Sequence, residues 1–209
     1  MLRKAPQQAR SRYMVDVILE GATRVFSERP YAEITTAHIA EVSGVSIGSL
    51  YQYFGAKEAI AASLQQRHCA ETLGLVRSFA AGSGGKPLHD RLRDMLGELL
   101  ILHRDAPLFH RNLLGLWPYL PAPLPQADQL NGGIMEAVGD MLAEEWPERG
   151  QAELLLQTTM VVRGIETLTH AAVRLPELAD DETVFERFEM TVPAVLAARA
   201  QTQHAPALR

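Results

Sequence analysis

Apolar residues recur every three or four positions along almost the whole chain and nowhere alternate one by one, so the spacing predicts helices throughout. Residues 12–28 place Val15, Ile18, Leu19, Ala22, Val25 and Phe26 on one stripe, and Pro30 ends that helix. A long helix is expected from about Lys57 to Ala81, broken by Gly82-Ser83-Gly84-Gly85. Residues 87–104 direct Leu92, Met95, Leu96, Leu99, Leu100 and His103 inward; Asp105-Ala106-Pro107 interrupts, and a short helix over 107–117 follows. Pro118, Pro121, Pro123 and Pro125 mark a loop, after which a helix reaches Trp146, its start delayed by Gly132-Gly133. The most apolar helix covers 151–175. A turn from Pro176 to Asp181 then caps a last helix, about 182–200, on Asp180 or Asp181; Pro193 should kink or break it, and 201–209 should fray.

The densest local signals lie in residues 34–58. Ile39, Ala40, Val42 and Val45 supply the apolar side of a short helix, with Thr35 or Thr36 as N-cap. Gly44 sits where a helix stops on a left-handed residue, and Ser46 caps a second helix two residues later. Two short helices joined by a tight glycine-containing turn form a helix-turn-helix, whose second helix enters the major groove of double-stranded DNA. At 100° per residue, Leu50 and Phe54 point inward while Gly48, Ser49 and Gln52 cluster opposite, flanked by Tyr51 and Tyr53. Gly48 permits close backbone approach, Ser49 and Gln52 suit base edges, and tyrosine hydroxyls suit phosphates. The alternative for Tyr51 and Tyr53 is packing on a small core. Lys57, at the start of the next helix, adds an ammonium to a helix N-terminus, a pairing that favours an anion.

This stretch resembles the DNA-binding domain of the tetracycline-repressor (TetR) family of bacterial transcriptional regulators. The resemblance rests on Ile18-Leu19, Ala22, Phe26, Tyr31, Thr35, Ile39-Ala40, Gly44-Val45-Ser46, Gly48, Leu50-Tyr51, Tyr53-Phe54 and Lys57-Glu58, within residues 12–62. It implies an all-α fold of about nine helices. A helix-turn-helix domain with a basic arm would occupy 1–56, and a larger effector-binding and dimerisation domain 57–209. It implies DNA contacts from Thr35, Thr36, Ser46, Ile47, Gly48, Ser49, Tyr51, Gln52, Tyr53 and Lys57. Three departures stand out. Pro30 replaces the glycine usual after the first helix, Ala56 replaces a capping residue, and Ile47 stands where many members place a polar or basic reader. Ile47 either touches a thymine methyl or packs.

Charge narrows the picture. The net charge is −5, yet residues 1–60 hold seven Lys or Arg against six acids, and Arg3, Lys4, Arg10 and Arg12 precede any acid. Such an arm suits phosphate or minor-groove contact; the alternative is a solvated tail. One cysteine, Cys69, excludes an intrachain disulfide and reads as a buried, inert thiol. No apolar run reaches transmembrane length and no secretory leader is visible, so a cytoplasmic protein without membrane contact is expected.

Helix 151–175 carries a core face of Leu154, Val161, Ile165, Leu168 and Ala172, opposite a polar stripe of Thr159, Arg163, Glu166, Thr167 and His170. Between them lies a seam of small and flexible residues, Met160, Gly164, Thr167 and Ala171, which fits the helical homodimer interface that the resemblance implies. The resemblance also implies a small-molecule effector. Its pocket would be lined by Met95, Leu99, His103, Phe109, His110, Leu113, Trp117, Met160 and Arg163, though stripes of this kind also form plain core. The favoured function is a homodimeric repressor released from a palindromic operator by an apolar or amphipathic effector. A regulator without effector is the quieter reading. An all-helical enzyme using His103, His110 or the Glu166/His170 pair is a third, but no nucleophile–base–orienter set, phosphate loop or metal-ligand set supports catalysis or a cofactor.

Overall fold

The computed structural model describes residues 9–82, 85–116 and 125–198. Among these it contains nine α-helices, one 3₁₀ turn and no strand: α1 (Ala9–Glu28), the turn Tyr31–Glu33, α2 (Thr36–Val42), α3 (Ile47–Tyr53), α4 (Lys57–Ala81), α5 (Leu88–Arg104), α6 (Pro107–Leu116), α7 (Pro125–Glu145), α8 (Gln151–Arg174) and α9 (Asp181–Ala197). The chain packs as two compact units, one made of Met1–Leu75 with Glu98–Gly133, the other of Val76–Gly97 with Ile134–Arg209.

In the first unit the expected α1 stripe is buried in full, together with Ile34, Ile39, Leu50, Phe54, Ile60 and Leu64. Phe109 and Leu113 of α6, expected around an effector, belong to this same core. One glycine decides how closely α1 meets the end of α2. A Cβ on Gly21 would stand 2.1 Å from Ser43 Oγ and 2.9 Å from Ser43 Cα, so no larger residue fits without moving a helix.

Gly132-Gly133, at the end of the first unit's sequence, does not delay α7, which is helical from Pro125. Each glycine weakens a helix by about 1 kcal/mol, less than burial of Val138, Met141 and Leu142 further along α7 returns. The α8 core face also differs from expectation. Val161, Ile165 and Ala172 are buried, but Leu154 and Leu168 only partly, while Gln157, Thr158 and Thr169 turn inward. Thr169 is tolerated because its hydroxyl donates to the Ile165 and Glu166 carbonyls. Gln157 donates to the Val195 and Ala198 carbonyls at the end of α9 and accepts from Arg149. Asp180 caps α9, accepting from the Thr183 amide, and α9 continues through Pro193. Trp117, Pro118, Pro121, Pro123, the Gly82–Gly85 break at Ser83-Gly84, Arg3, Lys4 and residues 201–209 lie outside the described residues.

Candidate nucleic-acid interface

Local chemistry builds the head. Thr35 is the N-cap of α2, its hydroxyl accepting from the His38 amide, and Ser46 is the N-cap of α3, accepting from the Ser49 amide. Gly44 is left-handed, with φ 67°. Its amide donates to the Glu41 carbonyl and that of Val45 to the Ala40 carbonyl, which closes α2 with two of its orphan acceptors satisfied. Two short helices are thus terminated by their own sequence, and the turn between them is set by one residue.

The outer face of α3 carries no charge. Ile47, Gly48, Tyr51 and Gln52 are exposed, Ser49 and Tyr53 partly so, and Leu50 and Phe54 are fully buried beneath them. Ile47 is 42% exposed. The rest of its surface is covered by the head, so the side chain packs in part and presents an apolar edge outward. A Cβ added to Gly48 would meet nothing closer than Ser46 Oγ at 3.9 Å, so the protein's own packing does not require glycine there. Tyr51 is 41% exposed and shares a 2.9 Å hydrogen bond with Thr36, tying α3 to α2, whereas Tyr53 leans on the core.

Lys57 opens α4 as expected, but its side chain is turned inward. Its ammonium donates to the carbonyls of Tyr31 and Ile34, at 2.9 Å each, and stands 4.2 Å from the centre of the Tyr31 ring. Two of its three N–H groups hold the 3₁₀ turn, which makes Lys57 a clasp inside the head before it is a phosphate contact. Tyr31 is the other half of that clasp. Burial, and a hydrogen bond to Glu58, push its phenol above the usual range, so it stays protonated and donates.

A third member of this corner was not legible from spacing. Asn112, buried on α6, donates to the Phe26 and Arg29 carbonyls at 2.8 Å and accepts from the Tyr31 amide at 3.0 Å. A side chain 80 residues downstream thereby closes the end of α1. The available signal was an amide on the apolar side of a helix, between Phe109 and Leu113.

The residues expected around an effector separate. Met95, Leu99, His103 and His110 are buried. Met160, 49% exposed, and Arg163, its side chain 65% exposed and paired with Glu166, stand on the outside of α8 and do not line an interior. His103 and His110 are not isolated: His68 of α4, which the sequence did not single out, joins them, with ring centres 4.6–4.9 Å apart. Burial pushes the His103 imidazole below its ordinary value, against a smaller upward pull from its hydrogen bond to the Leu99 carbonyl.

The sequence matches two family models: "Bacterial regulatory proteins, tetR family" over residues 18–64, and "Tetracyclin repressor-like, C-terminal domain" over residues 87–192. A curated relative, the uncharacterized HTH-type transcriptional regulator YerO of Bacillus subtilis, is 26% identical over 88 residues, a match spanning 42% of this chain and 30% of that protein. Among solved structures, a TetR-family regulator from Streptomyces coelicolor superposes with a TM-score of 0.62 at 23% identity, covering 88% of this chain and 97% of that one. SmeT, the repressor of the Stenotrophomonas maltophilia multidrug efflux pump SmeDEF, gives 0.63 at 19% identity, covering 88% of each. SmeT in its triclosan complex gives 0.59 at 19% identity, covering 87% of this chain and 91% of that one. At these identities the structures speak for the fold.

Proposed function

Since the chain belongs to the tetR family of bacterial regulatory proteins, and is a DNA-binding transcriptional regulator rather than an enzyme, we propose that it acts as a homodimeric repressor on a palindromic operator. The α3 face carries the DNA side of this reading. A groove-facing helix needs side chains presented outward, and Ile47, Gly48 and Gln52 are exposed at that end of the head. Thr35, Thr36, Ser46, Ser49, Tyr51 and Tyr53 surround them, with Lys57 holding the turn behind. The cytoplasm is the compartment this function requires, and among the described residues no helix is long and apolar enough to cross a membrane.

The dimer side is supported by α8. Leu156, Met160, Gly164, Thr167 and Ala171 fall within about 80° of helix surface, and Leu156 and Met160 are exposed. A Cβ on Gly164 would meet nothing within 4 Å. An apolar stripe around a glycine suits a second copy of the same helix in a two-fold interface, which sets two recognition helices on half-sites about one DNA turn or a multiple apart.

Release by a small effector is supported by analogy with SmeT, which binds triclosan; Leu99, His103 and His110 are the buried groups of the first unit that would meet such a ligand. The experiment is fluorescence anisotropy on duplexes from the DNA flanking the protein's own gene, across a salt series. Specific, salt-sensitive binding lost in the double variant Ile47→Ala, Gln52→Ala supports the reading. Equal binding by that variant would remove α3 from it.

A further inference from the structure

We propose that His68, His103 and His110 form a binding site for one divalent transition-metal cation of borderline softness, of which zinc is the natural probe. The three residues come from α4, α5 and α6, all in the DNA-reading unit. Their candidate ligand nitrogens lie within 4.8 Å of one another. The proposal goes beyond the DNA reading and does not depend on it.

Two of the imidazoles are already oriented as ligands. His103 Nδ1 lies 2.7 Å from the Leu99 carbonyl oxygen, and His110 Nδ1 lies 2.9 Å from that of Ala106. A carbonyl only accepts, so both Nδ1 atoms carry the hydrogen, and in the neutral ring Nε2 is left with its lone pair. A backbone carbonyl behind the second ring nitrogen is the usual way a metal-binding histidine is held in its tautomer. His110 Nε2 also stands 3.4 Å from His68 Nδ1. Two nitrogens at about 2.0–2.1 Å from a tetrahedral zinc are separated by about 3.3–3.4 Å, so this pair already has the spacing of one edge of the coordination polyhedron.

The surroundings favour a cation over plain packing. His103 and His110 are each 4% exposed, so a cation held between the rings would be enclosed by protein. Such a cation takes up the Nε2 lone pairs of His103 and His110, and displaces the proton that His68 Nδ1 donates to His110 Nε2. On the same face of α4, one turn before and one turn after His68, Gln65 Oε1 and Thr72 Oγ1 are buried without a hydrogen-bond partner. Both are polar atoms on the face of α4 that carries His68. Three imidazoles with no carboxylate or thiolate select zinc, copper, nickel or cobalt over calcium or magnesium, which take oxygen ligands.

The test uses the full-length chain stripped of metal. Zinc is titrated in competition with a chromophoric chelator, and cobalt(II) is followed by its visible d–d bands. One equivalent per chain is expected, with cobalt bands of tetrahedral intensity and a rise in melting temperature on adding zinc. His68→Ala, at the least enclosed of the three rings, and His110→Asn should each weaken zinc binding by more than about tenfold. They should also abolish the zinc-dependent rise in melting temperature while the apo chain still melts cooperatively. His89→Ala, outside the cluster, should bind zinc as the parent does. Absence of stoichiometric zinc binding, or binding unchanged in both cluster variants, would overturn the site. Operator binding is measured on the same preparation. A chain that binds DNA but takes up no zinc sinks the metal site alone, whereas zinc uptake without DNA binding sinks only the operator reading.

Discussion

The outer faces of α3 and α8 both expose residues that a solvated helix normally does without, but they differ in kind. On α3 the exposed set is small and mixed: one isoleucine, one glycine, a glutamine and a tyrosine, over a fully buried Leu50 and Phe54. On α8 it is larger and apolar, Leu156 and Met160 running beside Gly164. A wet groove lined by base edges rewards the first composition, because each position can make its own contact while water fills the gaps. A second apolar surface rewards the other, because its gain scales with area removed from water. Exposure alone does not separate the two; the mixture of side chains does.

The strongest way to break the comparison is to remove the support of one face and watch the other. Phe54→Ala, at the foot of α3, should destabilise the first unit by about 3–5 kcal/mol, the range for deleting a buried aromatic ring. DNA binding should vanish, while sedimentation velocity still reports the parental oligomer. Loss of both together would mean that the two faces do not work separately.

The next largest effect is expected on α8. Met160→Arg places a charge in the middle of the apolar stripe and should weaken self-association by about 2–4 kcal/mol, the size of a central interface residue. Analytical ultracentrifugation over a dilution series reads this directly. An unchanged dimer would move the interface elsewhere. A monomer that keeps an intact α3 should still bind single half-sites weakly, which an anisotropy titration on a half-site duplex detects.

Asn112→Ala sharpens the picture from within the first unit. It leaves the Phe26 and Arg29 carbonyls and the Tyr31 amide without their partner, a loss of about 1–3 kcal/mol. Thermal unfolding should show the drop, with self-association unaffected. Asn112 also marks the limit of what the chain reveals by itself. Thr35, Gly44 and Ser46 act on neighbours three residues away, so their residue types announce the turn and its caps. The α1 stripe is legible for the same reason, being a repeat within one helix. Gly21, Asn112 and His68 act on partners 22, 81 and 35 or more positions away, and nothing adjacent to them in sequence states the pairing. Lys57 shows a subtler failure. Its position at a helix start was correctly read, but a long side chain has several carbonyls in reach, and here the 3₁₀ turn captures it.

Gly48→Ala is expected to have the smallest effect on stability and the most pointed one on function. Alanine is the better helix former by about 0.5–1 kcal/mol, and the added methyl has room, since only Ser46 Oγ comes within 4 Å, at 3.9 Å. The melting temperature should therefore hold or rise slightly. If the glycine is there so that the α3 backbone can approach the groove floor, the same methyl must push the helix outward and disturb contacts at Ile47 and Gln52. Operator affinity should then fall by about tenfold, the worth of one misplaced base contact. Stability and affinity moving in opposite directions is the signature of a residue shaped by its partner. If the two instead move together, or neither moves, Gly48 is an ordinary position of α3, and the reading face contracts to Ile47, Tyr51 and Gln52.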